Sequence, residues 1–159
     1  MLFSVNKRRI WITWENQKRS IELAKAFDAK IYILTLNGFA LNVALIRYMI
    51  LSLKTIGIIY FERPEIVFCQ NPSIVLAFLL CLLKKINRYS LIVDRHSNFK
   101  LRTINSEKFK FKVFHWLSRY SILAADYTIV TNDFLLNLVK AWGGDGFVLQ
   151  DKIPEFESF

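Results

Sequence analysis

The sequence reads as an α/β protein, a single domain on a doubly wound, Rossmann-like parallel sheet of six strands. Three observations point there. Six short strand-like runs alternate with stretches of helical periodicity, the order that gives right-handed strand–helix–strand crossovers. One of the runs, Ser90 to Asn98, begins apolar and ends abruptly in Asp94, Arg95, His96, Ser97 and Asn98. That is the pattern of a buried parallel strand whose carboxyl end opens into a crevice, where open α/β sheets bind their ligands. Finally, 159 residues at 53% hydrophobic content, with 14 Phe and 4 Trp, are enough for one real core and exclude disorder.

The elements follow in order. Arg9 to Trp14 is β-branched and aromatic and predicts a first strand, followed by a polar turn at Glu15-Asn16 and a helix over Gln17 to Phe27, with Ile21, Ala24 and Phe27 apolar. Ile31 to Thr35 predicts the second strand, closed by a turn at Asn37-Gly38. Ala40 to Phe61 has no breaker except Gly57 and is apolar around most of its circumference, so this helix must be covered on several sides, by a partner domain or by lipid. Arg63-Pro64-Glu65 stops it, and Ile66 to Gln70 predicts the third strand. A helix begins at Asn71-Pro72, with Pro72 in the first turn, and runs through Ile86. Ser90 to Asp94 is the fourth strand. A basic connection to Ser106 leads into a helix over Glu107 to Ala125, then a strand over Tyr127 to Thr131. A helix from Asp133 to Trp142 closes at Gly143-Gly144, and Phe147 to Gln150 is the last strand. The domain therefore occupies 1–150. Residues 151–159 carry Pro154 and no periodicity, and read as an interdomain linker cut short.

Charge and cysteine usage narrow the partners. Twenty-two Lys and Arg against 13 Asp and Glu leave a formal +9, which suits nucleic acid, an acidic membrane surface or a phosphorylated substrate. Cys69 and Cys81 lie inside apolar runs without metal-ligand spacing, so they read as core residues of a reducing compartment, and no metal is expected. No secretory signal is visible and the longest uncharged apolar run, Pro72 to Leu83, is too short to span a bilayer. A cytoplasmic location follows as the expectation.

The chemistry is read from the strand ends. The loop Trp14 to Arg19 has no glycine, so a pyrophosphate cannot approach its backbone as in dinucleotide-binding sheets, and no P-loop is present. His96, just past a strand end and two residues from Asp94, either exchanges a proton with a substrate oxygen or is a loop histidine bonded to backbone. Asp94 either joins that chemistry or orients His96 as an acceptor for its own loop. Gln70 with Asn71, Asn98, and Asn132 sit on the same predicted rim, as sugar-hydroxyl partners or as helix caps. In the basic segment Lys100, Arg102, Lys108, Lys110 and Lys112 are interleaved with Phe109 and Phe111. It is either a membrane-contact surface or a solvated face. The same charge allows nucleic-acid binding, but no recognised motif supports it.

Taken together, Trp14, Arg19, Leu23 and Ala24, Arg63 to Val67, Gln70-Asn71-Pro72, Val93 to Asn98, Thr131-Asn132 and Trp142 to Gly144 with Asp151 and Pro154 resemble the N-terminal half of GT-B glycosyltransferases. The family 4-like enzymes, including those similar to dolichol-linked mannosyltransferases, are nearest. The resemblance implies an acceptor-binding Rossmann-like domain with His96, supported by Asp94, at the interdomain cleft. Trp14, Arg19, Gln70, Asn71 and Asn132 would line or support the acceptor side. Ser73 stands where relatives often have a second proline, and Ser97 lies inside the histidine motif. The nucleotide-sugar donor would bind on a partner domain or subunit, with no cofactor on this chain and no transfer by it alone. The implied role is polysaccharide or lipid-linked glycan biosynthesis, peripheral to the inner face of an anionic membrane. The alternative is a non-catalytic scaffold that recruits a catalytic partner to membrane.

Overall fold

The computed structural model describes residues 8–36, 44–70, 73–95 and 99–150. Its elements are β1 (Arg9–Thr13), α1 (Lys18–Ala26), β2 (Lys30–Ile33), α2 (Ala44–Glu62), β3 (Ile66–Gln70), α3 (Ile74–Asn87) and β4 (Ser90–Asp94). After a 3-10 turn at Leu101–Thr103 come α4 (Phe109–Ala124), β5 (Tyr127–Val130), α5 (Asp133–Ala141) and β6 (Gly146–Val148). The six strands form one parallel sheet in the order β2-β1-β3-β4-β5-β6, so the expected α/β, Rossmann-like architecture is present.

Period-two alternation divides the sheet into two faces. Ile10 and Ile12 on β1, Val67 and Cys69 on β3, and Leu91 and Val93 on β4 pack against Leu51 and Ile59 of α2 and Leu76, Leu80 and Cys81 of α3. The same face continues through Val130 of β5, which joins Ile122 of α4 and Val139 of α5. On the opposite face Trp11 and Phe68 stack on each other and on Phe27, beside Ala24 of α1. Among the described residues α1 is the helix of that second face.

Element ends depart from the sequence reading for local reasons. β2 stops at Ile33, where β1, its one neighbour among the described residues, ends at Thr13, the Ile33 partner. The start of α3 is Ile74, with the Ser73 hydroxyl accepting from the Leu76 N–H at 3.4 Å. Among the described residues the serine at the cap begins this helix. Asn71, Pro72, Asn37-Gly38, Ala40 to Val43 and the proposed linker 151–159 lie outside the described residues. β6 opens at Gly146, opposite Thr128, where a Cβ would lie 2.2 Å from the Thr128 carbonyl oxygen. Gly143, at φ +84°, closes α5, and Gly144 N–H returns to the Val139 carbonyl at 3.0 Å.

Both cysteines are free and buried. Burial pushes the Cys69 thiol well up and the Cys81 thiol to about 12, and raises the Tyr89 hydroxyl, which donates to the Leu80 carbonyl at 2.6 Å. Among the described residues no His, Cys, Asp and Glu group is arranged to hold a metal ion, and no helix is long and apolar enough to cross a membrane.

Two stability tests follow. Gly146→Ala forces β5 and β6 apart and is expected to cost about 1–3 kcal/mol. By contrast, Gly57→Ala, where a Cβ meets nothing within 4 Å inside α2, should add about 0.5–1 kcal/mol; urea midpoints check both. The raised thiols and Tyr89 keep their protons in the folded chain after the unfolded chain has released its own. Stability held below about pH 9 should therefore fall as pH rises from there. Urea midpoints measured between about pH 8 and 11 check that slope, and a thiol reagent should label neither cysteine until the chain unfolds.

Candidate functional site

The sheet reverses its winding between β1 and β3: α1 carries the chain from β1 outward to β2, whereas β3 to β6 proceed the other way. The crevice of such a sheet opens beyond the carboxyl ends of the strands at this switch point. Three polar side chains stand there, Thr13 ending β1, Gln70 ending β3 and Asp94 ending β4, with Gln70 and Asp94 directly paired in register. Alternation from Trp11, Phe68 and Ile92 turns all three toward α1.

The first turns of α1 meet them. Ser20 donates its hydroxyl to Gln70 Oε1, and Gln70 Nε2 donates to Gln17 Oε1. Gln17 Nε2 in turn donates to Glu15 Oε2 at 2.9 Å. The Thr13 hydroxyl gives its proton to the Glu15 carbonyl at 2.8 Å and receives the Glu15 N–H at 3.2 Å, pinning the turn after β1. A line of amides thus runs from Gln70, which is fully buried, to the exposed Glu15.

Beside it, Arg19 grips Asp94 with a fork, Nε to Oδ2 and Nη2 to Oδ1, both at 3.1 Å. Its Nη2 also donates to the Leu149 carbonyl at 3.2 Å, just past β6. Asp94 is 0% exposed and the Arg19 side chain 14%. The bidentate geometry offsets the cost of burying this carboxylate. Asp94 therefore holds α1 to the sheet edge, and Gln70 is consumed by its neighbours.

Trp14 is buried against α2, its indole N–H on the Thr55 hydroxyl at 3.1 Å. It forms part of a cavity of about 400 Å³ lined also by Glu15, Asn16, Ile33, Thr35, Leu36 and Arg47. Asn132 is the N-cap of α5, accepting from the Leu135 N–H at 2.9 Å, and is not part of the network around Gln70. His96, Asn71 and Asn98 lie outside the described residues.

The basic segment is not one flat surface. Phe109 projects, 81% exposed, whereas Phe111 turns into a cavity of about 580 Å³ with Phe99, Leu101, Leu135, Lys100, Arg102 and Thr103. The Lys100 amine lies over the Phe114 ring at 4.6 Å, Lys110 over Phe111 at 5.0 Å, and Lys112 pairs with Glu107 at 2.9 Å. Lys108 is the N-cap position of α4.

Several site residues escape the sequence reading. Gln17 and Ser20 share a helical face with Ala24 and Phe27, so polar residues at the start of an otherwise sheet-facing stripe were the available signal. Arg95 is 1% exposed. Its guanidinium lies over Phe99 at 4.4 Å and donates to the Ser118 carbonyl at 3.3 Å and to the Ser118 hydroxyl. Burial lowers it to about 10, which still leaves a cation at neutral pH, and no sequence pattern announces it.

No family model matches the chain, and no curated protein does. Among solved structures the fold is similar to that of Glycyrrhiza uralensis UGT73P12, crystallised with glycyrrhetinic acid 3-O-monoglucuronide. The TM-score is 0.53 at 10% identity, over 86% of this chain and 41% of that one. That protein is a UDP-glycosyltransferase of GT-B fold. The fold class is thus glycosyltransferase-like, and the chain spans about two fifths of the structure it matches.

The clamp is testable. Arg19→Met should cost about 3 kcal/mol, read as a lowered urea midpoint. Arg19→Lys should recover only part of that, because an ammonium cannot reproduce the fork.

Proposed function

We propose that the chain is the acceptor-binding half of a GT-B glycosyltransferase of family 4-like type. It acts at the cytoplasmic face of a membrane on a lipid-linked or cell-surface glycan precursor, with the nucleotide-sugar donor held by a second Rossmann-like domain or subunit. The observation that carries this reading is the hydrogen-bonded line from Gln70 through Gln17 to Glu15, because it fixes a carboxylate on the wall of a cavity beyond the carboxyl ends of β1 and β2 in a glycosyltransferase-like sheet.

The roles follow from chemistry. Glu15 accepts hydrogen bonds from sugar hydroxyls and Arg47 donates to hydroxyl or phosphate oxygens, both from the wall of the same cavity. Arg19 and Asp94 hold the strand end that leads to His96. His96 accepts the proton of the attacking acceptor hydroxyl as its oxygen bonds to the anomeric carbon, and the bond from that carbon to the departing diphosphate breaks. Asp94 is a positioning residue in this scheme.

A second reading has its own support. Gln70 and Asp94 are fully buried and bonded within the chain, as a non-catalytic recruiting subunit would have them. With the donor-binding partner supplied, His96→Ala is expected to lower turnover by about 10²–10⁴-fold with acceptor binding retained. Unchanged turnover would discard the catalytic reading in favour of the recruiting one.

A further inference from the structure

The helices on the α2 side of the sheet are unlike α1. Leu45, Met49, Leu53, Ile56 and Tyr60 recur along α2 at helical spacing, and every one is exposed. They cannot be core residues, since Leu51, Thr55 and Ile59 already face inward. Glu62 at the end of α2 bonds to Lys30 and Tyr32 of β2. The neighbouring helix continues the pattern, with Leu82 and Ile86 exposed on α3. On α4, Trp116 is exposed and bridges to α3 through Phe78 at 5.7 Å. An indole half in and half out of an apolar seam suits a water–lipid boundary. On α1, by contrast, Ile21 is the one exposed large hydrophobic residue, beside the Lys18–Glu22 pair.

Charge identifies the occupant. These three helices carry Arg47, Lys54, Lys84, Lys85, Lys110, Lys112 and Arg119 against a single carboxylate, Glu62; with Lys84 paired to Asp126, Lys112 to Glu107 and Arg47 on the cavity wall, Lys54, Lys85, Lys110 and Arg119 remain to meet a surface. Two copies meeting through this layer would bring like charges together, whereas an anionic bilayer complements both the apolar ridges and the basic side chains between them. We propose that the outer layer of α2, α3 and α4 is the face that docks flat on an anionic lipid surface, the ridges entering the headgroup boundary and the cations meeting lipid phosphates. The basic segment 100–112 then lies at the margin of the contact and not at its centre. This docking does not depend on sugar transfer.

The test is flotation of the full chain with vesicles of phosphatidylglycerol and phosphatidylcholine, compared with vesicles of phosphatidylcholine alone, with no glycan or nucleotide present. Leu53 and Ile86 are 67% and 78% exposed, so Leu53→Asp and Ile86→Asp should fold, which a thermal melt checks. Each is expected to reduce binding to the anionic vesicles about tenfold or more, whereas Ile21→Asp on α1 should leave it unchanged. Added salt should weaken the binding. The proposal is overturned if the folded chain ignores anionic vesicles. Binding that survives both substitutions but is lost when Lys100, Arg102 and Lys108, outside these helices, become Gln would also overturn it. So would a chain that dimerises through this face, with Leu53→Asp giving monomers and no lipid binding in either form.

Discussion

The Arg19–Asp94 fork is the constraint on which the carboxyl edge of the sheet depends. A carboxylate with no solvent exposure at the end of a central strand is tolerable only with a fixed cation beside it, and α1 supplies that cation from its second residue. The same helix covers Trp11 and Phe68 and delivers Gln17 and Ser20 to Gln70. Its position therefore sets the stacking of one face and the geometry of the crevice together. Among the described residues the opposite face has four helices to share the same task.

Much of this was legible in the chain. The strands announced themselves because parallel, buried strands are short apolar runs, and the bounds of β3 and β4 follow from Ile66 to Gln70 and Ser90 to Asp94 without adjustment. The polar strand ends were visible for the same reason: Gln70 and Asp94 interrupt apolar runs. What could not be read was the direction in which those side chains are satisfied. That Gln70 meets Ser20 and Asp94 meets Arg19 depends on the register of α1 over the sheet, a tertiary relation between residues 50 and 75 positions apart. Arg95 was illegible for a related reason, since a cation buried on Phe99 and Ser118 looks in sequence like any loop arginine. The edges of β2 and β6 slipped because an edge strand ends where its single neighbour ends, not where its own residues cease to suit a strand.

The glycosyltransferase-like fold and the crevice chemistry answer different questions. The fold places a switch point where a ligand is expected; the residues there decide whether anything binds. Glu15, Arg47 and the rim of Trp14 offer a charged, partly aromatic wall, while the strand ends behind it are closed upon themselves. The turn after β1 and the first turn of α2 therefore form the open wall at this edge, with the bonded strand ends beside it. The helix that shapes the crevice with Arg47 is also the one with the longest exposed apolar ridge.

Arg19 also bonds to Leu149, 130 positions away. That span has a kinetic meaning. The first helix is synthesised early, yet its guanidinium finds its full set of acceptors only after the last strand has been laid against β5. Loop closure over such a distance is slow compared with forming any local helix or crossover. The last acceptor of this guanidinium is thus supplied by the last part of the chain to be made, and a chain interrupted before β6 would leave α1 without that anchor.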